Sequence, residues 1–157
     1  MKSLKPFRIF LTNMKQILPF LDDYLLNLQV NNYSINTISR YEIDLTVFNN
    51  FLIDSKKKFL KLNKKDILNY KAFLTSIDRK TAQERLGIKK LSAYSINRML
   101  SSLRSYLKYL IEMDYGSPLP PDAIKMIKTI KKKSQVAELK QLIDLIEFPN
   151  VFEKNKK

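Results

Sequence analysis

The sequence has 157 residues and a formal net charge of +14, which favours one domain of ordinary size with a polyanionic partner. It contains no Cys and no His, so disulfides, thiolate or imidazole metal sites and catalysis by a histidine base are excluded. Only 2 Gly are present, which excludes glycine-rich phosphate loops and argues against a turn-rich all-β fold. We therefore expect an all-α protein that needs no metal and no cofactor.

The positive charge favours nucleic acid as the partner, and the alternative is a basic helical module for an acidic protein or a membrane surface. The most apolar stretch, residues 17–28, is interrupted by Pro19, Asp22 and Asp23. It is also much shorter than the roughly 18 residues of a membrane-spanning helix. We therefore expect a cytoplasmic protein that binds nucleic acid, with no membrane span and no small-molecule substrate.

Apolar residues recur at three- and four-residue spacing in four segments, which predicts four amphipathic helices. In chain order the predicted helices cover about residues 14–28, 35–55, 64–77 and 93–113. Side chains that can cap a helix start precede three of them: Ser34, Asn63 with Asp66 as a capping box, and Ser92 or Ser95. The polar residues 78–90 predict a loop before the fourth helix.

The composition changes after the fourth predicted helix. Pro118, Pro120 and Pro121 predict a stiff linker, and a lysine-rich run follows them. Apolar spacing within residues 136–147 predicts a short final helix. We divide the chain into an N-terminal arm, a four-helix domain, a Pro/Lys linker and a tail, at residues 1–14, 15–116, 117–135 and 136–157.

The fourth predicted helix has one apolar arc and one polar stripe. The stripe follows positions i, i+4, i+7 and i+11, which are Asn97, Ser101, Arg104 and Lys108. Arg98 widens the stripe, and no acid occurs in it before Glu112. Asn and Arg side chains can pair with base edges, and Ser and Lys with phosphate oxygens, so the stripe predicts DNA contact. The alternative is an ordinary solvated face.

The run from Leu91 to Leu110, with its Ile96-Asn97-Arg98 core, resembles the last helix of the core-binding domain in the tyrosine recombinases, the phage integrase family. The second predicted helix matches the spacing of that family at Ser34, Thr37, Tyr41, Leu45 and Phe48. A Pro-containing linker and a basic stretch follow in the same order. Residues 136–147 resemble the opening helix of the family's catalytic domain, so the resemblance covers about residues 15–147.

This resemblance implies a four-helix SAM-like bundle that grips DNA from one face, with its second and fourth helices against the major groove. Carried over by position, the DNA-contacting residues would be Thr37 and Arg40 on the second helix and Asn97, Arg98, Ser101, Arg104 and Lys108 on the fourth. Arg98 lies at the edge of the stripe and could instead pair with Glu112 or reach a flanking phosphate. The lysine run Lys131, Lys132 and Lys133 would follow the phosphate backbone, or remain a solvated linker.

The chemistry of the family requires a nucleophilic Tyr, two Arg, a Lys and a His-containing motif in a C-terminal domain. This chain has no His and stops where that domain would begin, and its tail would be a remnant of the domain's start. The tyrosines in the helical stripes, Tyr24, Tyr41, Tyr70 and Tyr106, are expected in the core. We therefore expect DNA binding without cleavage and no catalytic residue, with other recombinase subunits as candidate partners.

Overall fold

Four α-helices make up most of the part of the chain that this computed structural model describes, which is residues 17–77 and 90–129. The helices are α1 (Leu21–Val30), α2 (Ile35–Asp54), α3 (Lys64–Thr75) and α4 (Ala93–Glu112). Short 3-10 turns occur at Phe59–Lys61 and Pro121–Ala123. The described ranges contain no strand, so the predicted all-α four-helix fold is confirmed. The predicted arm, most of the predicted loop at 78–90 and the predicted final helix lie outside the described residues.

The predicted caps begin three of the helices. In α2 and α4 the hydroxyls of Ser34 and Ser92 accept from the amide three residues on, at 3.2 and 3.1 Å. In α3 the Asn63 side chain accepts from the Asp66 amide, and the Asp66 carboxylate accepts from the Asn63 amide, each at 3.1 Å. These reciprocal bonds satisfy backbone N–H groups that have no partner within the helix. No described helix has the length and apolar character that a membrane span requires.

The first helix starts later than its apolar spacing predicts, at Leu21 rather than near residue 14. Pro19 disfavours helical geometry at the residue before it, and Phe20 has a left-handed backbone with φ 52°. The Leu18 amide does not enter a helix but donates to Asn49 Oδ1 on α2 at 3.3 Å. The segment before α1 is therefore tied to α2 through a side chain.

Three helices end with a residue other than Gly in the left-handed region. Asn32, Lys56 and Asp114 have φ values of 59°, 52° and 56° after α1, α2 and α4. In each case the next amide donates to a carbonyl five residues back, at 3.1, 2.9 and 2.7 Å. This is the hydrogen bond of a Schellman motif, and it allows sharp helix ends in a chain with 2 Gly. The third helix ends at Thr75, two residues before the predicted end.

Helices α2 and α4 form the central pair of the bundle, and α1 and α3 pack beside them. The predicted apolar arc of α4 is confirmed, because each of its members is buried: Ile96, Met99, Leu100, Leu103, Tyr106, Leu107 and Leu110. Tyr24 and Tyr70 are also fully buried, as predicted. Tyr41 is only half-buried, and its ring packs edge-on against Tyr24 with the centroids 6.0 Å apart.

Candidate nucleic-acid interface

The first half of α2 lies beside α4, and the two helices enclose an open groove of about 310 Å³, the α2–α4 groove. Four of the predicted DNA-contacting residues line it: Thr37, Arg40, Arg98 and Ser101. The other lining residues are Asn36, Tyr41, Asp44 and Ser102. Residues about 60 positions apart in the sequence therefore meet on one concave surface because α2 and α4 pack together.

Asp44 is the acidic residue of the groove, and its carboxylate is buried. Its oxygens accept from Arg98 Nη2 at 2.9 Å and from Ser102 Oγ at 2.8 Å. Burial raises the pKa of Asp44 above its ordinary value, while the hydrogen bond from Ser102 and the charge of Arg98 act in the lowering direction. Because the side chain of Asp44 is only 1% exposed, the groove presents the guanidinium and not the carboxylate to solvent.

The prediction that Arg98 could pair with Glu112 is wrong. These residues are separated by 14 positions on α4, which corresponds to about 21 Å along the helix axis. Glu112 instead pairs with Lys108, with Nζ and Oε1 3.3 Å apart and both side chains exposed. Sequence reasoning missed Asp44 as the partner of Arg98 because the contact joins two helices. The available signal was weak: an acid on a predicted helix directly before the apolar position Leu45.

Arg40 and Thr37 form the α2 side of the groove. Arg40 is exposed, and it makes no ion pair within 4 Å in the described part of the chain. The positive charge of Arg40 acts to lower the pKa of Asp44, although the two side chains form no ion pair. The Thr37 hydroxyl lies 2.8 Å from the hydroxyl of Ser34 at the start of α2. The free guanidinium of Arg40 is therefore available for an anionic ligand.

The other flank of α4 is covered by the chain itself. Residues 119–127, which we call the docked linker, run alongside α4 and form hydrogen bonds with it. Asn97 Nδ2 donates to the Ile127 carbonyl at 2.9 Å, and Asn97 Oδ1 accepts from the Ile127 amide at 2.8 Å. Arg104 donates from Nε to the Pro121 carbonyl at 3.2 Å and from Nη2 to the Ile124 carbonyl at 2.7 Å. The polar groups of these two predicted site residues are thus engaged by backbone.

The polar stripe of α4 is therefore divided between two surroundings. Ser101 lies between them, since it lines the groove and its Oγ is 3.9 Å from the sulfur of Met126 in the docked linker. Lys108 extends the stripe into solvent, with its side chain 69% exposed. The lysine run at residues 131–133 lies outside the described residues.

Sequence reasoning predicted the linker but missed its docking on α4. Ile124 is fully buried, and Leu119 and Ile127 pack partly buried against the core. The spacing of these three apolar residues in a basic, proline-rich segment was the available signal. It was too short to be recognised as a helix or strand pattern.

The fold and the two flanks of α4 define a SAM-like helical bundle with a basic groove between its second and fourth helices. The family described as "Phage integrase, N-terminal SAM-like domain" matches residues 21–113, which is more than half of the chain. The chain belongs to this family. The match begins at the first residue of α1 and ends one residue after α4, so it covers the whole helical bundle.

The curated relatives are tyrosine recombinases. Tyrosine recombinase XerD of Staphylococcus haemolyticus is 31% identical over 139 residues, which cover 86% of this chain and 42% of the relative. XerD of Staphylococcus saprophyticus is 29% identical over 135 residues, or 83% of the chain and 41% of the relative. XerC of Leptospira interrogans is 29% identical over 120 residues, or 74% and 34%. The chain thus matches less than half of each of these relatives, and no solved structure matches it.

Proposed function

We propose that this chain binds double-stranded DNA as the core-binding part of a tyrosine recombinase or integrase, in site-specific DNA integration and recombination. Family membership and the names of its relatives support the recombinase role. The observation that carries the DNA-binding role is the α2–α4 groove. It brings two arginines together with the hydroxyls of Thr37 and Ser101 from separate helices on one surface, and its carboxylate is buried against Arg98.

In this proposal Lys108 and the lysines at 131–133 neutralise phosphates, and α4 enters the major groove. Arg40 carries the uncompensated charge of the α2–α4 groove, and Thr37 and Ser101 supply hydroxyl donors beside it. Arg98 keeps part of its guanidinium exposed while it holds Asp44. Lys108 extends the contact along α4, and the lysines at 131–133 would follow the backbone beyond the bundle. Phosphate contacts of this kind set the affinity and its salt dependence.

We assign no catalytic residue to this chain, which would supply DNA binding and not strand cleavage. Burial raises the pKa of Tyr24, Tyr70 and Tyr106 far above the ordinary value, which disfavours the nucleophilic phenolate. Tyr24 donates its hydroxyl to Ser105 Oγ at 2.9 Å, and Tyr106 donates to the Pro19 carbonyl. All three side chains are fully buried in the core of the bundle, which favours a structural role for them.

Fluorescence anisotropy with a labelled 30-base-pair duplex, measured across a salt series, tests DNA binding. If about six phosphates are neutralised, the logarithm of affinity should fall with the logarithm of salt at a slope near −5. A slope near zero would refute phosphate-based binding. Selection of bound duplexes from a randomised pool would test sequence direction, since enrichment of one motif is expected and an unchanged pool would contradict it.

Replacement of Arg40 tests the groove as the contact surface. Arg40→Ala should weaken binding about fivefold to tenfold and reduce the salt slope by about 1. Lys61→Ala is the matched control, because it also removes one positive charge but lies beyond the other end of α2. That helix is about 30 Å long, so Lys61 should lie off a duplex held in the groove. Equal losses in the two variants would contradict the placement while leaving DNA binding intact.

A second candidate function is the binding of an acidic amphipathic protein segment. A separate open groove of about 670 Å³ beyond the end of α2 has apolar walls that include Pro19, Phe59 and Leu60. Its rim carries four lysines: Lys56, Lys57, Lys58 and Lys61. Binding of an acidic amphipathic helical peptide without binding of duplex DNA would favour this function over the recombinase role.

A further inference from the structure

The docked linker is held by apolar as well as polar contacts. Ile124 is 0% exposed, which is the burial of a core residue, although it lies outside the four α-helices, directly after the 3-10 turn Pro121–Ala123. Leu119 and Ile127 pack against the same core on either side of it. A segment that only passes over the surface would not bury a whole isoleucine, so the linker is an integral part of the bundle.

The polar contacts match the shape of a peptide backbone. The amide of Asn97 pairs with a single residue, Ile127, as donor to its carbonyl and acceptor from its N–H. Arg104 directs its planar guanidinium at two carbonyls of the linker turn that are three residues apart, those of Pro121 and Ile124. An Asn amide edge and an Arg fork are also the groups that pair with base edges in DNA. Here the linker backbone occupies them.

We propose that Asn97 and Arg104 are positioning residues for the linker and that DNA meets α4 while they still hold it. Two observations favour a linker that stays docked: the full burial of Ile124 and the four hydrogen bonds to the backbone. The consequence for DNA binding rests on the proposed function, whereas the docking itself does not. Within the described part of the chain, direct contacts to DNA are then left to the α2–α4 groove and to Lys108.

Docking also places linker charges on a defined surface. Lys125 lies with Lys64 and Lys71 of α3 around a cleft of about 430 Å³ that shares no lining residue with the α2–α4 groove. Met126, the next residue, touches Ser101 at the margin of that groove. The hydrogen bonds from Asn97 and Arg104 therefore fix on which side of α4 the residues of the docked linker lie.

Limited proteolysis with trypsin tests the positioning role, with the fragments assigned by mass spectrometry. Arg104→Lys keeps the positive charge but loses the fork, so cleavage after Lys125 and Lys128 should accelerate about tenfold. Asn97→Ala should have a similar effect. Ser105→Ala is the matched structural control on the same helix, because it removes the partner of Tyr24 and no linker contact. Unchanged cleavage in Arg104→Lys, or equal acceleration in Ser105→Ala, would overturn the proposal.

A cross-link tests whether the linker stays docked on DNA. The chain has no Cys, so Leu68→Cys on α3 combined with Ala123→Cys in the docked linker provides a unique pair of thiols across the cleft of about 430 Å³, for a short bifunctional reagent that leaves the proposed contact residues unchanged. We expect the locked protein to bind the duplex within about twofold of the same variant without the cross-link, since a docked linker gains little from being locked. A tenfold loss on locking would overturn the proposal and show that the linker must leave α4. Absence of binding in both forms would refute the proposed function, and proteolysis would then decide the docking.

Discussion

The two flanks of α4 carry similar side chains in opposite surroundings. On the flank that faces α2, the guanidinium of Arg98 meets the carboxylate of Asp44 beside an open groove. On the flank that faces the linker, the guanidinium of Arg104 meets two neutral carbonyls under a covering segment. One arginine is neutralised and remains near an open surface, while the other keeps its charge but already donates two hydrogen bonds to the linker.

This difference separates positive charge from hydrogen-bonding capacity along a single helix. Arg98 adds little net charge to the groove because Asp44 balances it, which leaves Arg40 as the principal uncompensated cation there. Arg104 adds net charge to its flank, yet two of its donor positions already have acceptors. A count of basic residues on α4 therefore overstates how many of them are available to read bases.

The largest effect is expected from the loss of Arg98, which would remove the ion pair with Asp44 on the flank of α4 that faces α2. Arg98→Ala leaves a carboxylate that is 1% exposed without its counter-ion. We expect the free energy of unfolding to fall by about 3 kcal/mol, at the low end for a broken buried pair because the guanidinium is partly exposed. Urea denaturation monitored by circular dichroism measures this change. Unaltered stability would show that the pair contributes nothing to the fold.

Two controls test whether the unpaired carboxylate of Asp44 causes the loss of stability in Arg98→Ala. Asp44→Asn in the Arg98→Ala background should restore part of the stability, because the amide carries no charge to bury. Acidification should also narrow the gap between the wild type and Arg98→Ala. Burial raises the pKa of Asp44, and Arg98 opposes that rise, so its removal raises the pKa further. Protonation then stabilises the folded variant more than the wild type as pH falls through the raised pKa.

The next effect concerns the linker flank. Ile124→Ala removes the fully buried side chain of the docked linker and should reduce stability by about 2 kcal/mol, the low end for a core isoleucine in a peripheral segment. The Ile127 amide, which donates to Asn97 Oδ1, should lose its protection from hydrogen exchange as the linker opens. Met126→Ala is the matched control, because that side chain is 36% exposed. Retained protection in Ile124→Ala would show that the hydrogen bonds from Asn97 and Arg104 suffice alone.

The features that the sequence predicted correctly depend on near neighbours. Ser34, Ser92 and the Asn63–Asp66 box act within one helical turn, and the apolar arc of α4 follows from helix periodicity alone. The late start of α1 was also a local matter, because Pro19 restricts the residue before it. The prediction relied on apolar spacing and placed the start of α1 near residue 14, whereas the helix begins after Pro19, at Leu21.

The features that the sequence did not predict join distant residues. Asp44 and Arg98 are 54 positions apart, and Asn97 and Ile127 are 30 apart. A helical wheel places Asn97, Ser101 and Arg104 on one face but does not show what packs against that face. The division of the stripe therefore arises from tertiary packing. The convergence of Thr37 and Arg40 with Arg98 and Ser101 has the same origin, and the resemblance implied it while periodicity did not.

The smallest effect is expected at Lys108, where the linker does not cover the polar stripe and no buried carboxylate pairs with it. Its partner Glu112 is exposed, follows it at i+4 and lies at the negative end of the helix dipole, so their pair is weak. Glu112→Gln should change the free energy of unfolding by less than about 0.5 kcal/mol. It should strengthen duplex binding about twofold at low salt, because Lys108 is released and one repulsive charge is removed. Anisotropy titrations measure this change, and unchanged binding would place the end of α4 away from DNA.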